Sequence, residues 1–183
     1  LLTTYNINSN EKIALRLSKH VLFHIGLIHT GLNCPGKNLL LKGRSGSGRY
    51  TITRFVANIL ESDFVHIGPP SPDEELAIDE RVSVFNNLMR DVITNATVHQ
   101  KRTIIFLRSS NKKPIEERLL TKFVTQRDFA SFFPTAQLND LYSRFTGLHS
   151  MNYEQRLVAW KQIRSIIRMN IHVVIAKDIN DDD

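Results

Sequence analysis

A short glycine- and serine-rich stretch has the residue spacing of a phosphate-binding loop. Gly43 and Gly48 occupy the two glycine positions of the pattern G-x-x-x-x-G-K-[ST]. Gly46 and the small Ser45 and Ser47 allow a tight turn with inward-pointing amides. Such amides, together with the N-terminus of a following helix, bind phosphate anions. The stretch therefore predicts a phosphate site; the alternative that stays open is a glycine-serine turn without a ligand.

Two departures from the pattern weaken the chemistry that normally follows phosphate binding. Arg49 stands where a lysine reaches the β- and γ-phosphates; it keeps the charge, but its guanidinium is longer and planar. Tyr50 stands where a serine or threonine hydroxyl holds Mg²⁺, and Thr51 is adjacent. A phenol does not easily fill that position, so the sequence predicts weakened metal-assisted hydrolysis. The predicted nucleotide-binding loop runs from Gly43 to Thr51, with no metal ligand assigned in it.

The acidic residue that should follow a neighbouring core strand is missing. In phosphate-loop folds this residue holds Mg²⁺ and polarises water. The strand predicted over 103–107 runs instead into Arg108 and Ser109. Glu116 and Glu117 come one loop later, where we interpret them as helix N-terminal acids that suit the macrodipole. The sequence therefore predicts neither a catalytic residue nor a metal site here.

Strands and helices alternate along the chain, which predicts how these residues are positioned. Short apolar runs bounded by turn residues indicate buried strands, and amphipathic stretches indicate helices. This alternation predicts an α/β fold with a parallel sheet flanked by helices on both sides. The predicted strands are 38–42, 64–67, 103–107 and 172–176; the predicted helices are 11–30, 49–60, one around 82–93, 115–124 and 153–169.

Two helices carry more detailed expectations. The first should begin after an N-cap at Ser9 or Asn10 and stop at Gly31. The last should turn four apolar side chains inward: Leu157, Trp160, Ile163 and Ile167.

Charge and apolar runs bear on whether the protein binds nucleic acid or a membrane. The net charge of +6 on 183 residues favours an acidic partner such as nucleic acid. The basic residues are scattered, however, and no aromatic-basic alternation of the kind that stacks bases is visible. A solvated surface is therefore favoured and no nucleic acid partner is predicted. No apolar run reaches the roughly 18 residues that span a bilayer, so no membrane contact is predicted either.

Cysteine and histidine usage restricts metal and redox chemistry. Cys34 is the only cysteine, which excludes an intrachain disulfide and multi-cysteine zinc sites. It also favours a reducing compartment, the cytosol. His20 and His24 lie four apart on a predicted helix, but no acidic third ligand is near them. The absence of an initiator methionine indicates a fragment of a longer chain.

The stretch 20–59, with Gly-Ser-Gly-Arg in its loop, resembles the fourth AAA+ module of dynein heavy chains. Axonemal members of that family often carry Arg in this loop, followed by Gln and Ser, where this sequence has Arg49, Tyr50 and Thr51. The strand 170–175 looks like the family's sensor-1 strand, and Asp178 stands near the position of its Ser or Asn. Arg108 or Ser109 takes the place of the Walker B acid. The likeness also covers 64–67, 103–107, 115–117 and, before a short helix, 132–135.

The resemblance implies an AAA+ large subdomain that is one wedge of a six-module, ATP-driven microtubule motor. It implies an N-terminal helix and linker over 1–36 and a P-loop core over 37–183, without the small helical lid subdomain. In that family the first module is the main hydrolytic site, and the fourth is regulatory, binding nucleotide with variable hydrolysis. The expected ligand is ATP or ADP, with little hydrolysis and a regulatory or structural role.

The same resemblance implies partners and a location. The partners are the neighbouring AAA+ modules of the same heavy chain and, through the parent motor, the microtubule and other dynein subunits. The location is the cytoplasm and cytoskeleton, and the loop arginine favours a ciliary axoneme. The alternative is an independent P-loop NTPase or kinase, which needs carboxylates that are missing at the expected places.

Overall fold

The computed structural model describes residues 3, 6, 7, 12, 13, 15–68, 77–109, 115–126 and 128–179. From residue 12 onward, the described residues form four strands, six helices and one 3-10 turn at Ala130–Phe132. The strands are β1 (Leu39–Gly43), β2 (Asp63–Ile67), β3 (Thr103–Ser109) and β4 (Ile171–Asp178). The helices are α1 (Lys19–Asn33), α2 (Arg49–Ile59), α3 (Ile78–Val98), α4 (Ile115–Gln126), α5 (Thr135–Thr146) and α6 (Tyr153–Asn170).

The four strands form one sheet in the order β1-β4-β3-β2, and every neighbouring pair is parallel. The predicted parallel α/β architecture is confirmed. Its register brings the carboxyl ends of three strands together, since Gly43 pairs with Asp178 and Ser109 pairs with Lys177. In parallel α/β sheets ligands bind at this end of the strands.

Helices cover both faces of the sheet because the central strands bury side chains on alternate sides. Ile104 and Phe106 of β3 pack with α1 and α2 on one face. Ile105 and Leu107 pack with α3, α4, α5 and α6 on the other. All four side chains are almost fully buried. This two-sided burial holds the end of β3, and so Arg108, in a fixed place beside the loop.

The start of α1 was predicted wrongly. The helix begins at Lys19, because the Ser18 side chain caps it: its hydroxyl accepts a hydrogen bond from the Val21 amide at 3.3 Å. The described residues from 12 to 18 are not helical. The N-caps proposed at Ser9 and Asn10 lie outside the described residues.

The predicted stop at Gly31 is also wrong. Helix α1 continues to Asn33, and Cys34 has the extended backbone of a residue that precedes a proline, here Pro35. Proline therefore ends the helix where glycine was expected to.

Helix α6 begins at its predicted start, Tyr153, but one of its predicted inward positions was wrong. Leu157 is 40% exposed, whereas Ile163 and Ile167 are buried as expected and Trp160 is partly buried. The buried ridge continues at Ala159 and not at Leu157. Residues 159, 163 and 167 are spaced by four and therefore share one helix face. Position 157 lies on a different face of the helix.

Candidate phosphate-binding site

The loop between β1 and α2 turns at two glycines with left-handed backbone. Gly46 has φ +79° and Gly48 has φ +76°, a region that residues with a Cβ rarely adopt. The Ser47 amide donates to the Arg44 carbonyl at 3.2 Å and closes the turn. Gly48 is the N-cap of α2 and has no side chain that could accept from the first-turn amides. These amides have no acceptor within the helix and suit an anion.

The loop opens on a cavity of about 510 Å³. Six of the predicted loop residues contribute to its wall, and ends of the neighbouring strands supply the rest. Its charged members are arginines, and no carboxylate is among the described residues that line it. The lining residues are Gly46, Ser47, Gly48, Arg49, Tyr50, Thr51, His66, Phe106, Arg108 and Ala176.

Two predicted loop residues lie at the margin of this cavity. Gly43 ends β1 beneath the loop, where an added Cβ would stand 3.3 Å from the Ser47 hydroxyl. Its carbonyl accepts a hydrogen bond from the Ile179 amide at 3.1 Å, which joins the loop to the backbone after β4. Ser45 accepts a hydrogen bond from Arg108 on the opposite wall. Both residues therefore shape the site from its edge.

The Arg49 guanidinium is held by acceptors around the base of the loop. It donates to the carbonyls of Arg44 at 3.1 Å and Leu41 at 3.4 Å, and to the carbonyl of Lys177. It also donates to the carboxylate of Asp178. The side chain is only 14% exposed. Arg49 thus ties the start of α2 to the ends of β1 and β4, and its charge is already paired.

Asp178 lies between two arginines at the end of β4. Besides its ion pair with Arg49, one carboxylate oxygen is 3.5 Å from the Arg108 guanidinium. The hydrogen bond from Arg49 is the main reason that the pKa of Asp178 lies below its usual value; burial acts in the opposite direction, and the charge of Arg108 adds to the lowering. Asp178 is therefore ionised at neutral pH. Asp178, the residue predicted near the sensor-1 position, is the last residue of β4.

The two residues at the end of β3 have different surroundings. Arg108 is about half exposed, lines the cavity, and donates to the Ser45 hydroxyl at 2.8 Å. Ser109 is buried, and its hydroxyl donates to Glu117 at 2.5 Å. Neighbouring residues of a strand point to opposite faces. Of the two candidates for the Walker B position, only Arg108 contacts the cavity.

The acidic residues of α4 are engaged elsewhere. Glu116 is buried and accepts bidentate hydrogen bonds from Arg81 of α3, with the shorter contacts at 2.7 and 2.8 Å. Both Glu116 and Glu117 lie in the first turn of α4, as predicted. The sequence reasoning missed the partners, Arg81 and Ser109. Neither carboxylate lines the cavity.

An aromatic cluster lies beside the loop, and its histidine was missed from the sequence. The Tyr50 ring is 4.8 Å from His66, 5.5 Å from Phe106 and 5.6 Å from Phe64, measured between ring centroids. Burial, and then the charge of Arg108, lower the pKa of His66, so this imidazole is neutral at pH 7. The sequence signal that could have identified His66 is its position as a polar residue near the carboxyl end of the predicted strand 64–67.

The described residues show neither a metal-binding cluster nor a membrane-spanning helix. No cluster of three or more His, Cys, Asp or Glu side chains is arranged to hold a metal ion there. The His20 and His24 rings are neighbours at 4.4 Å between centroids. None of the described helices combines the length and apolar character that crossing a bilayer requires.

Comparison with known proteins gives the family. Residues 13–182 match the family model of the P-loop containing dynein motor region D4. The chain is 29% identical over 107 residues to spastin from Drosophila mojavensis, which covers 55% of this chain and 14% of spastin. It is 28% identical over 104 residues to dynein axonemal heavy chain 12 from Homo sapiens, which covers 57% of this chain and 3% of that protein. The chain thus spans a small part of each of these relatives.

The family match covers almost all of the chain, and it includes every element that surrounds the loop. The strand-loop-helix unit is the structural context that the phosphate-loop motif requires. The chain therefore belongs to the P-loop containing dynein motor region D4 family, the fourth nucleotide-binding AAA+ module of dynein heavy chains.

Proposed function

We propose that this module binds ATP or ADP at the loop from Gly43 to Thr51 and hydrolyses it little. The bound nucleotide then has a regulatory or structural role in the ring of an ATP-driven microtubule motor. The observation that carries the proposal is the uncapped start of α2, which lies on a cavity lined by two arginines and by no described carboxylate.

Binding is supported by the fit between this cavity and a polyphosphate. The first-turn amides of α2 and the positive end of its dipole favour an anion. Arg108 adds a guanidinium group whose planar fork matches phosphate oxygens, and Arg49 adds positive charge to the wall. Ser45 and Ser47 add hydroxyls at the loop. This is a donor-rich site of the kind that phosphate requires.

Weak hydrolysis is supported by the position of the nearest carboxylates. Phosphoryl transfer needs a residue that positions the attacking water, and usually a carboxylate that holds the metal. Arg108 occupies the strand end from which that carboxylate normally comes. Glu116 and Glu117 are committed to Arg81 and Ser109. We assign no catalytic residue.

The role in the ring follows from the family. Its partners are the adjacent AAA+ modules of the same heavy chain and, through the whole motor, the microtubule and other dynein subunits. The proposed location is the cytoplasm and cytoskeleton, and the similarity to an axonemal heavy chain favours a cilium. Residues 37–183 form the proposed P-loop core. Helix α1, within the remaining segment, packs against this core through Ile28 and Leu32.

Thermal unfolding with increasing ATP or ADP tests binding. A ligand present at 100 times its Kd stabilises the folded state by about 2.7 kcal/mol. The variant Ser47→Glu places a carboxylate on the cavity wall and should remove the ligand-dependent rise in Tm. The matched control, Ser83→Glu, makes the same change at an exposed site on α3 and should keep it.

Phosphate release from Mg-ATP tests the second half of the proposal. We expect no turnover above the background that Ser47→Glu gives. If the Tm of the unaltered protein does not respond to either nucleotide, only the structural role remains. Turnover that Ser47→Glu abolishes would instead support an independent NTPase.

A further inference from the structure

We infer that Arg108 supplies, at this phosphate site, the positive charge that a Mg²⁺ ion supplies in an ordinary P-loop. The module should therefore prefer a nucleotide polyphosphate that is free of divalent metal. This inference rests on the proposed function and adds the chemical form of the ligand.

The described residues do not fit the metal that the P-loop fold implies. The loop position that should present a small hydroxyl holds Tyr50, whose ring packs among Phe64, His66 and Phe106. The strand end that should present a carboxylate holds Arg108. Mg²⁺ prefers oxygen ligands in octahedral geometry. The nearby Asp178 carboxylate already accepts a hydrogen bond from Arg49.

Arg108 is placed to take over the electrostatic task. Its guanidinium is 2.8 Å from the Ser45 hydroxyl, so it reaches across the cavity to the loop. It lines the same cavity as the loop from Gly46 to Thr51, and it is 51% exposed, so an incoming anion can contact it. Guanidinium binds phosphate bidentately through a rigid fork of N–H donors.

The charge balance favours a metal-free ligand. Arg49, Arg108 and Asp178 together carry a net charge of +1 before any ligand arrives. A divalent cation would be repelled by both guanidinium groups. A metal-free nucleotide carries two more negative charges than its Mg²⁺ complex, and it therefore gains more from Arg108.

The three-residue network also shows which arginine is available. Arg49 is held by three backbone carbonyls in addition to Asp178. Arg108, by contrast, is held by a longer contact of 3.5 Å to Asp178 and by one hydrogen bond to the Ser45 hydroxyl. Arg108 can exchange these for phosphate oxygens while Arg49 stays in place.

Isothermal titration of the protein with ADP and ATP tests the inference. Each nucleotide is measured in excess EDTA and in excess MgCl₂ at matched ionic strength. We expect the affinity in EDTA to be higher by roughly ten- to hundredfold, the range that one hydrogen bond to a charged group can produce. Affinity that is equal or higher in MgCl₂ would overturn the inference.

Arg108→Gln should lower the affinity in EDTA by roughly ten- to hundredfold and remove the preference for metal-free nucleotide. Arg108→Lys keeps the charge and should recover part of the loss. Arg118→Gln, at an exposed position on α4, is the matched control and should bind like the unaltered protein. An equal loss in Arg118→Gln, or no loss in Arg108→Gln, would contradict the role of Arg108.

The outcomes separate the two proposals. Binding only in MgCl₂ overturns the inference and leaves nucleotide binding standing. Binding in neither buffer overturns both. If Arg108→Gln does not fold by circular dichroism, the comparison of EDTA with MgCl₂ on the unaltered protein still decides.

Discussion

Asp178, the last residue of β4, accepts a hydrogen bond from the guanidinium of Arg49, the first residue of α2. The pair joins the phosphate-loop helix to a strand that lies more than a hundred residues further along the chain. It also gives the loop an anion of its own. Nucleotide binding at this site must therefore take place beside a resident carboxylate, which lowers the net attraction for phosphate.

Replacing Asp178 should lower the stability of the fold and raise its affinity for nucleotide. Asp178→Asn removes the negative charge between the two arginines, so the unfolding free energy should fall by about 1 kcal/mol, the value of a partly exposed pair. The two unpaired guanidinium groups should bind phosphate more tightly, by about fivefold. Urea denaturation and nucleotide titration measure the two effects.

Asp140→Asn is the control for this experiment. It removes an exposed carboxylate 3.8 Å from Arg144 on α5 and should change neither quantity by much. A fall in nucleotide affinity on Asp178→Asn would show that the carboxylate helps to bind the ligand and would contradict the prediction.

Two glycines with the same backbone conformation provide a matched pair. Gly48 has φ +76° in the loop, and Gly147 has φ +74° at the end of α5. Alanine at either position should cost about 1 to 2 kcal/mol of stability, because a Cβ is strained in left-handed backbone. Only Gly48→Ala should also weaken nucleotide binding. Equal affinities for both variants would show that the loop geometry does not matter for binding.

The buried pair of Arg81 and Glu116 should be structural. Its side chains are only 20% and 10% exposed, and Glu116→Gln leaves Arg81 buried without its countercharge. We expect a loss of roughly 3 kcal/mol in the unfolding free energy and no change in nucleotide affinity. Glu154→Gln, in the exposed first turn of α6, is the control. Loss of nucleotide binding at unchanged stability would instead place Glu116 in the site.

Acid should destabilise the fold through His172. This fully buried ring donates from Nδ1 to the Lys37 carbonyl at 2.9 Å, and its Nε2 accepts from Arg102 at 3.3 Å, so it is neutral. Burial is the main reason that its pKa is lowered from 6.5; the bond to Lys37 acts against this and the charge of Arg102 adds to it.

The sign of the pH dependence follows from this shift. Below pH 6.5 this histidine binds a proton in the unfolded chain but not in the folded chain. Its contribution to the unfolding free energy is therefore fully present above that pH and falls as the pH decreases. The slope from one such group is at most about 1.4 kcal/mol per pH unit. Denaturation from pH 7.5 to 5.5 measures it.

His172→Gln should flatten part of this slope, and His66, whose pKa is also lowered, should account for another part. His149→Gln changes an exposed ring and should leave the slope unchanged. An unaltered slope in His172→Gln would contradict the assignment.

The elements that carry the site could be predicted because their signals are local. The apolar run 103–107, the glycine spacing of the loop and the amphipathic stretch after it each fit within about ten residues. Their alternation then indicated a parallel sheet, and the sheet placed the ends of β1, β3 and β4 together.

The partners of the charged residues could not be predicted in the same way. Arg49 and Asp178 are 129 positions apart, and Arg81 and Glu116 are 35 apart, so no short pattern connects them. The start of α1 was missed for a different reason. Its apolar spacing continues before Ser18, and only the hydrogen bond from the Val21 amide to the serine hydroxyl fixes where the helix begins.

Gly43 is the last residue of β1 before the loop, and its carbonyl accepts a hydrogen bond from the amide of Ile179, the first residue after β4. The peptide group of Gly43 therefore belongs to the loop and also anchors the backbone at Ile179. The start of the loop and the first residue after β4 are thus joined by main-chain atoms alone, with no intervening side chain.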